Sequence, residues 1–100
     1  MKFPKKIRIG CKDYNVKVEE NHYAKTGDLG MINFHLNTIV VNKPKEGAYA
    51  QINALETLCH EYAHGYFNYF NSDMNNEKNC DMFADMMVNF MRECRLIDEL

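Results

Sequence analysis

Polar and apolar residues alternate one for one in two early segments of this chain. Lys6-Ile7-Arg8-Ile9-Gly10 and Tyr14-Asn15-Val16-Lys17-Val18 place apolar side chains at every second position, the period of a strand with one buried face. Cys11-Lys12-Asp13 reads as the turn between them, so an antiparallel hairpin is predicted. Leu29 to His35 and Thr38 to Val41 predict a second strand pair around Leu36-Asn37. The stretch Glu19 to Asp28 is polar, ends Thr-Gly-Asp and is expected to be a connecting loop without regular structure.

After the break Asn42-Lys43-Pro44-Lys45-Glu46-Gly47 the period lengthens. Ile52, Leu55, Leu58, Cys59, Tyr62, Ala63, Tyr66 and Phe70 recur at intervals of three and four, which predicts an amphipathic helix over residues 48–70 with one buried stripe. Asn71-Ser72-Asp73 ends it. A second helix is predicted from about Asn76 to about Arg95, with Met82, Phe83, Met86, Met87, Phe90 and Met91 as its apolar stripe. The expected fold class is α+β: a small N-terminal antiparallel or mixed sheet packed against these two helices, with room for a third.

Length suits one minimal domain over residues 1–100. The formal net charge is -2 with both signs interspersed, so there is no electrostatic case for a nucleic-acid partner. Lys2, Lys5, Lys6 and Arg8 read as a solvated strand edge. No run approaches the roughly 18 apolar residues that cross a bilayer, and Met1-Lys2-Phe3-Pro4-Lys5 leads into a strand, not a secretory signal. Cysteines 11, 59, 80 and 94 contain no C-x-x-C pair. Cys59 and Cys80 are expected to pack as small apolar groups, with thiols reduced and the protein cytoplasmic.

Chemistry concentrates in His60-Glu61-Tyr62-Ala63-His64, an H-E-x-x-H on the first predicted helix. Histidines four apart lie one turn apart on one face and can grip one zinc ion. The glutamate between them is placed to take a proton from a water that the metal acidifies. Catalytic zinc usually takes three protein ligands and keeps one position open. Glu77 and Asp81 on the second helix are also four apart, so either can bind metal while the other accepts a hydrogen bond from a ligand histidine. A metzincin would need glycine at position 67 and histidine at 70, where this chain has Phe67 and Phe70, and no histidine follows His64.

Asn76-Glu77-x-x-Cys80-Asp81 resembles the N-E-x-x-S-D of thermolysin-type gluzincin metallopeptidases. Glu77-x-x-Cys80-Asp81-x-Phe83-Ala84 is similar to the E-x-x-A-N/D-x-F-A of the ImmA/IrrE type. Gly30-x-Ile32 and Ile39-x-Val41-Asn42 resemble the strand pair that precedes the zinc helix there. The likeness spans roughly residues 29 to 90, as in a stripped-down relative from a phage or mobile element. Cys80 stands where the family patterns have serine or alanine, and Met86-Met87-Val88-Asn89 replaces an L-L-M-P-like segment.

The resemblance implies a zinc endopeptidase acting on protein or peptide substrates. His60, His64 and Glu77 would hold Zn2+, Asp81 would orient a histidine, and Glu61 would be the general base. Leu29 to His35 would be an edge strand that holds the substrate as an added strand. Tyr66, Tyr23, His22 and His35 are candidates to stabilise the oxyanion. The rival reading is a non-catalytic, zinc-stabilised binding module, which would have no need of the base at Glu61.

Overall fold

The computed structural model describes residues 2–97. Two strands, β1 (Lys6–Ile9) and β2 (Lys12–Glu19), form the predicted hairpin, antiparallel with Ile7 opposite Tyr14. The second predicted pair is β3 (Gly30–Asn33) and β4 (Thr38–Asn42), antiparallel with Ile32 opposite Ile39. The two hairpins join through β2 and β4, which run parallel with Val16 beside Ile39. The sheet is therefore mixed, in the order β1-β2-β4-β3, and β3 lies at its edge.

One expectation fails between β2 and β3. The polar stretch from Glu19 to Asp28 holds a short helix, α1 (His22–Thr26). Side chains and backbone close it: Thr26 Oγ1 donates to the His22 carbonyl at 2.9 Å, and Gly27 caps the C-terminus at φ 80° with its N–H on the Tyr23 carbonyl. The Tyr23 N–H donates to Asn42 Oδ1 at 2.9 Å, fastening α1 to the end of β4.

Helix α2 (Ala48–Tyr69) is the middle layer of the molecule. On one side Ala54 and Leu58 pack with Ile9, Tyr14, Ile39 and Val41 of the sheet. On the other, Ile52, Leu55 and Cys59 pack with Ala84 and Val88 of α3 (Glu77–Glu93). The helix thus buries two stripes where its sequence predicts one. Phe70, placed in that stripe, is exposed beyond the helix end. Gly65 is where α2 presses closest to the sheet, since a β-carbon there would collide with the Ile9 side chain and lie 3.1 Å from Ile32 Cδ1.

The predicted stripe of α3 is corrected as well. Small residues face α2: Cys80, Ala84 and Val88 are buried, while Met82, Met86 and Phe90 are exposed. Met87 and Met91 cover the edges of the contact. Close helix approach favours small side chains at the seam, so the large apolar residues mark its flank. Cys59 and Cys80 are buried as expected. Among the described residues no helix is long and apolar enough to cross a membrane.

Candidate metal centre

Helical geometry puts His60 and His64 on one face of α2, with ring centroids 4.8 Å apart and Nε2 atoms 3.1 Å apart. The chain turns back after Tyr69 and starts α3 beneath them. Asn76 caps α3, its Oδ1 accepting from the Asn79 N–H at 2.9 Å. That cap fixes Glu77 as the first helical residue, where a carboxylate also suits the positive end of the helix dipole. Glu77 reaches both histidines, with Oε2 2.8 Å from His60 Nε2 and Oε1 3.1 Å from His64 Nε2.

Each imidazole is held from behind. His60 Nδ1 donates to Asp81 Oδ1 at 2.8 Å, and His64 Nδ1 donates to Asn75 Oδ1 at 2.6 Å. An acceptor at Nδ1 favours the tautomer with its proton there and leaves the Nε2 lone pair directed at the centre. Asp81 was expected to orient a histidine from its spacing and the family pattern. Asn75 was not, because Asn76 occupied the motif position; in the fold Asn76 is the cap and its neighbour makes the contact.

The donors of His60, His64 and Glu77 lie within 4.8 Å of one another. A tetrahedral zinc with bonds of ~2.0–2.1 Å would set its ligand atoms about 3.3 Å apart. The observed Nε2–Nε2 and Nε2–Oε separations of 2.8–3.1 Å come close to that edge. Two imidazoles and one carboxylate are a donor set suited to zinc, and three protein ligands leave a fourth position free. The residues fit the ion, and the cluster could coordinate it.

His60, Glu61, Glu77 and Asp81 line an open cleft of about 730 Å³ between α2, α3 and the start of β3. Glu61 is 9% exposed, and no hydrogen bond or ion pair engages its carboxylate among the described residues. Burial pushes its carboxyl above the ordinary carboxylate value. His60 and His64 pull it back, while the negative charges of Glu77 and Asp28 raise it further. Gly30 lets β3 approach α2 beside this side chain: a β-carbon there would lie 2.6 Å from Thr57 Cγ2 and 3.1 Å from the Val40 carbonyl oxygen, with Glu61 Cγ at ordinary contact distance.

Beneath the cluster Cys80 is fully buried, and desolvation, with Glu77, Glu61 and Asp81 nearby, pushes its thiol up to about 11. It stays protonated at neutral pH and acts as a small apolar group. Of the four candidate oxyanion donors, Tyr23 lines the cleft. Tyr66 packs between Tyr62 and Phe70 against the sheet-side core. His22 is buried with Nε2 unpartnered, and His35 is exposed in the β3–β4 turn. Asp28, Asn53 and Glu56, unnoticed in the sequence because they belong to no motif, line the same cleft.

A mixed sheet packed on α2 and α3, with His60, His64 and Glu77 converging where those helices meet, is a minimal zincin-like α+β architecture with a candidate zinc-binding site. Comparison with protein-family models, with curated proteins and with solved structures finds no match.

Proposed function

We propose that this chain is a zinc-dependent endopeptidase, a single minimal domain of the ImmA/IrrE-like kind that its motifs resemble, working in the cytoplasm on protein or peptide substrates. The observation that carries the reading is Glu61. Its side chain is largely buried yet lines the same open cleft as His60 and Glu77, and no hydrogen bond or ion pair among the described residues engages its carboxylate.

His60, His64 and Glu77 hold the ion, and Asp81 and Asn75 keep the two imidazoles in the ligand tautomer. Bound zinc supplies Lewis acidity, making water a nucleophile near neutral pH and polarising a carbonyl. Glu61 accepts the proton on a carboxylate oxygen and delivers it to the leaving amine. Its burial disfavours the charged carboxylate, against the pull of His60 and His64. Edge strand β3 pairs with β4 on one side only, so its free edge can take an extended peptide as a further strand. Gly30 brings that edge against α2 at Glu61. Tyr23 donates its phenolic O–H to the developing oxyanion.

The test compares wild type and Glu61→Gln, each analysed for metal, on an unfolded protein substrate. Zinc near one per chain in both, with cleavage lost in the variant, is the expected result. Equal cleavage by the two proteins would remove Glu61 from the mechanism. Metal-loaded protein that cleaves nothing would favour the binding-module reading.

A further inference from the structure

Helix α3 has two faces of different character. Cys80, Ala84 and Val88 meet α2, while Met82, Met86 and Phe90 stand in one row at intervals of four residues, 53%, 53% and 64% exposed. Among the regular elements α3 packs chiefly on α2, and the row is left to solvent. None of its side chains lines the cleft.

The row ends in two charges. Lys78 precedes Met82 by four residues and Glu93 follows Phe90 by three, so both share its face, and both are exposed. Among the described residues neither makes an ion pair. Each is at the unfavourable end of its own helix. A cation in the first turn meets the positive end of the dipole, and an anion in the last turn meets the negative end, whereas Glu77 and Arg92 are placed to suit it. Beside a second helix running the opposite way both charges fall into place. Lys78 then lies near the negative end of the neighbour and Glu93 near its positive end.

We infer that two copies of this chain pair through α3, antiparallel, about a two-fold axis at Met86. Such an axis sets Met86 against Met86 of the second copy and Met82 against its Phe90. Lys78 comes within one residue of the level of Glu93 of the second copy, and the axis repeats that pair. The surface is thus complementary to itself, as a two-fold interface requires. The charges also select the direction, because a parallel pair would oppose lysine to lysine and glutamate to glutamate. Methionines adapt to one another across such a seam. Asp85, which borders the row, is engaged by its own helix, accepting from Asn89 Nδ2 at 3.2 Å. The three apolar side chains expose on the order of 350 Å² together, less than the ~800 Å² per partner of a standard interface. The dimer is therefore a weak one. It rests on α3 alone and not on the peptidase reading.

Sedimentation equilibrium of the full chain, from about 5 to about 500 µM, tests the pairing. Wild type is expected to show a reversible monomer–dimer equilibrium with Kd on the order of 100 µM, weakening as salt rises. Met86→Lys brings two ammonium groups together at the axis and should be monomeric throughout. Lys78→Glu and Glu93→Lys should each weaken the dimer on the order of fivefold. Each also suits the dipole of its own helix better, so Tm should hold or rise; a purely structural role within the monomer would lower it. The double variant Lys78→Glu with Glu93→Lys restores both pairs with their signs exchanged and should recover most of the affinity. Circular dichroism checks that every variant is folded.

Wild type that stays monomeric at every concentration would overturn the pairing and leave the row to some other partner. A dimer untouched by Met86→Lys would place the contact elsewhere and overturn it as well. A double variant weaker than either single one would overturn the antiparallel arrangement.

Discussion

Asp81 Oδ1 sits 2.8 Å from His60 Nδ1 while Glu77, one helical turn earlier, sits 2.8 Å from the same ring's Nε2. One helix face thus grips both nitrogens of a single imidazole, and an ion bound there would divide the work of the two carboxylates between metal and tautomer. Glu77→Ala should weaken zinc binding more than Asp81→Ala, for which a loss of ~10–100-fold is expected, as for other residues that orient a ligand. Asn75→Ala, which frees His64 Nδ1, should fall in the same range. Titration against a chelator ranks all three. A larger loss from Asp81→Ala would make that residue the ligand.

Zinc should stabilise the fold measurably, because its ligands come from two helices. Binding only to the native state at a hundred times Kd contributes about 2.7 kcal/mol. In a chain of 100 residues that raises Tm on the order of 10 °C or more. Calorimetry with and without chelator measures it. His60→Ala should show a small shift or none, and an equal shift in that variant would place the ion elsewhere.

Gly30→Ala should loosen β3 from α2, since its β-carbon would stand 2.6 Å from Thr57 Cγ2 and 3.1 Å from the Val40 carbonyl oxygen. Overpacking of this kind costs about 1–3 kcal/mol, readable by urea denaturation. Adding Thr57→Ser removes the nearest methyl and should restore part of the loss. No recovery would mean that the Val40 carbonyl, and not Thr57, limits the approach.

Tyr23→Phe deletes one hydroxyl from the cleft wall. If that hydroxyl stabilises the oxyanion, kcat should fall ~10²–10³-fold with KM little changed. Tyr66→Phe, packed among aromatic rings on the sheet side, should leave turnover near wild type. Steady-state kinetics of the two variants separates them, and equal effects would remove Tyr23 from this role.

What could be read from the chain followed from short-range spacing. His60, His64, Glu77 and Asp81 stand at helical intervals, so their convergence needed only the right helices. Both hairpins were legible for the same reason, with alternation on each side of a turn. The parallel union of β2 with β4 was not, because it pairs residues more than twenty positions apart and no local pattern encodes it. Helix α1 was hidden by its polarity: five residues closed by Thr26, Gly27 and a bond to Asn42 carry no apolar period. On α3 the large residues Met82, Met86 and Phe90 drew attention from Cys80, Ala84 and Val88, which make the contact because they are small. Asn75 carries no signal of its own beside Asn76, since two adjacent asparagines leave a motif's register open by one.

Among the regular elements α3 packs chiefly on α2, and its first turn carries Glu77 and Asp81. In thermodynamic terms the ion and the helix are reciprocal ligands of the same body. Whatever tightens the ion's hold raises the free energy needed to lift α3 from α2, and a protein that draws α3 away lowers the affinity for the ion by the same factor. A chelator in the medium would then loosen α3 from α2, and a substitution that weakens the seam at Ala84 or Val88 would loosen the ion, through that one joint.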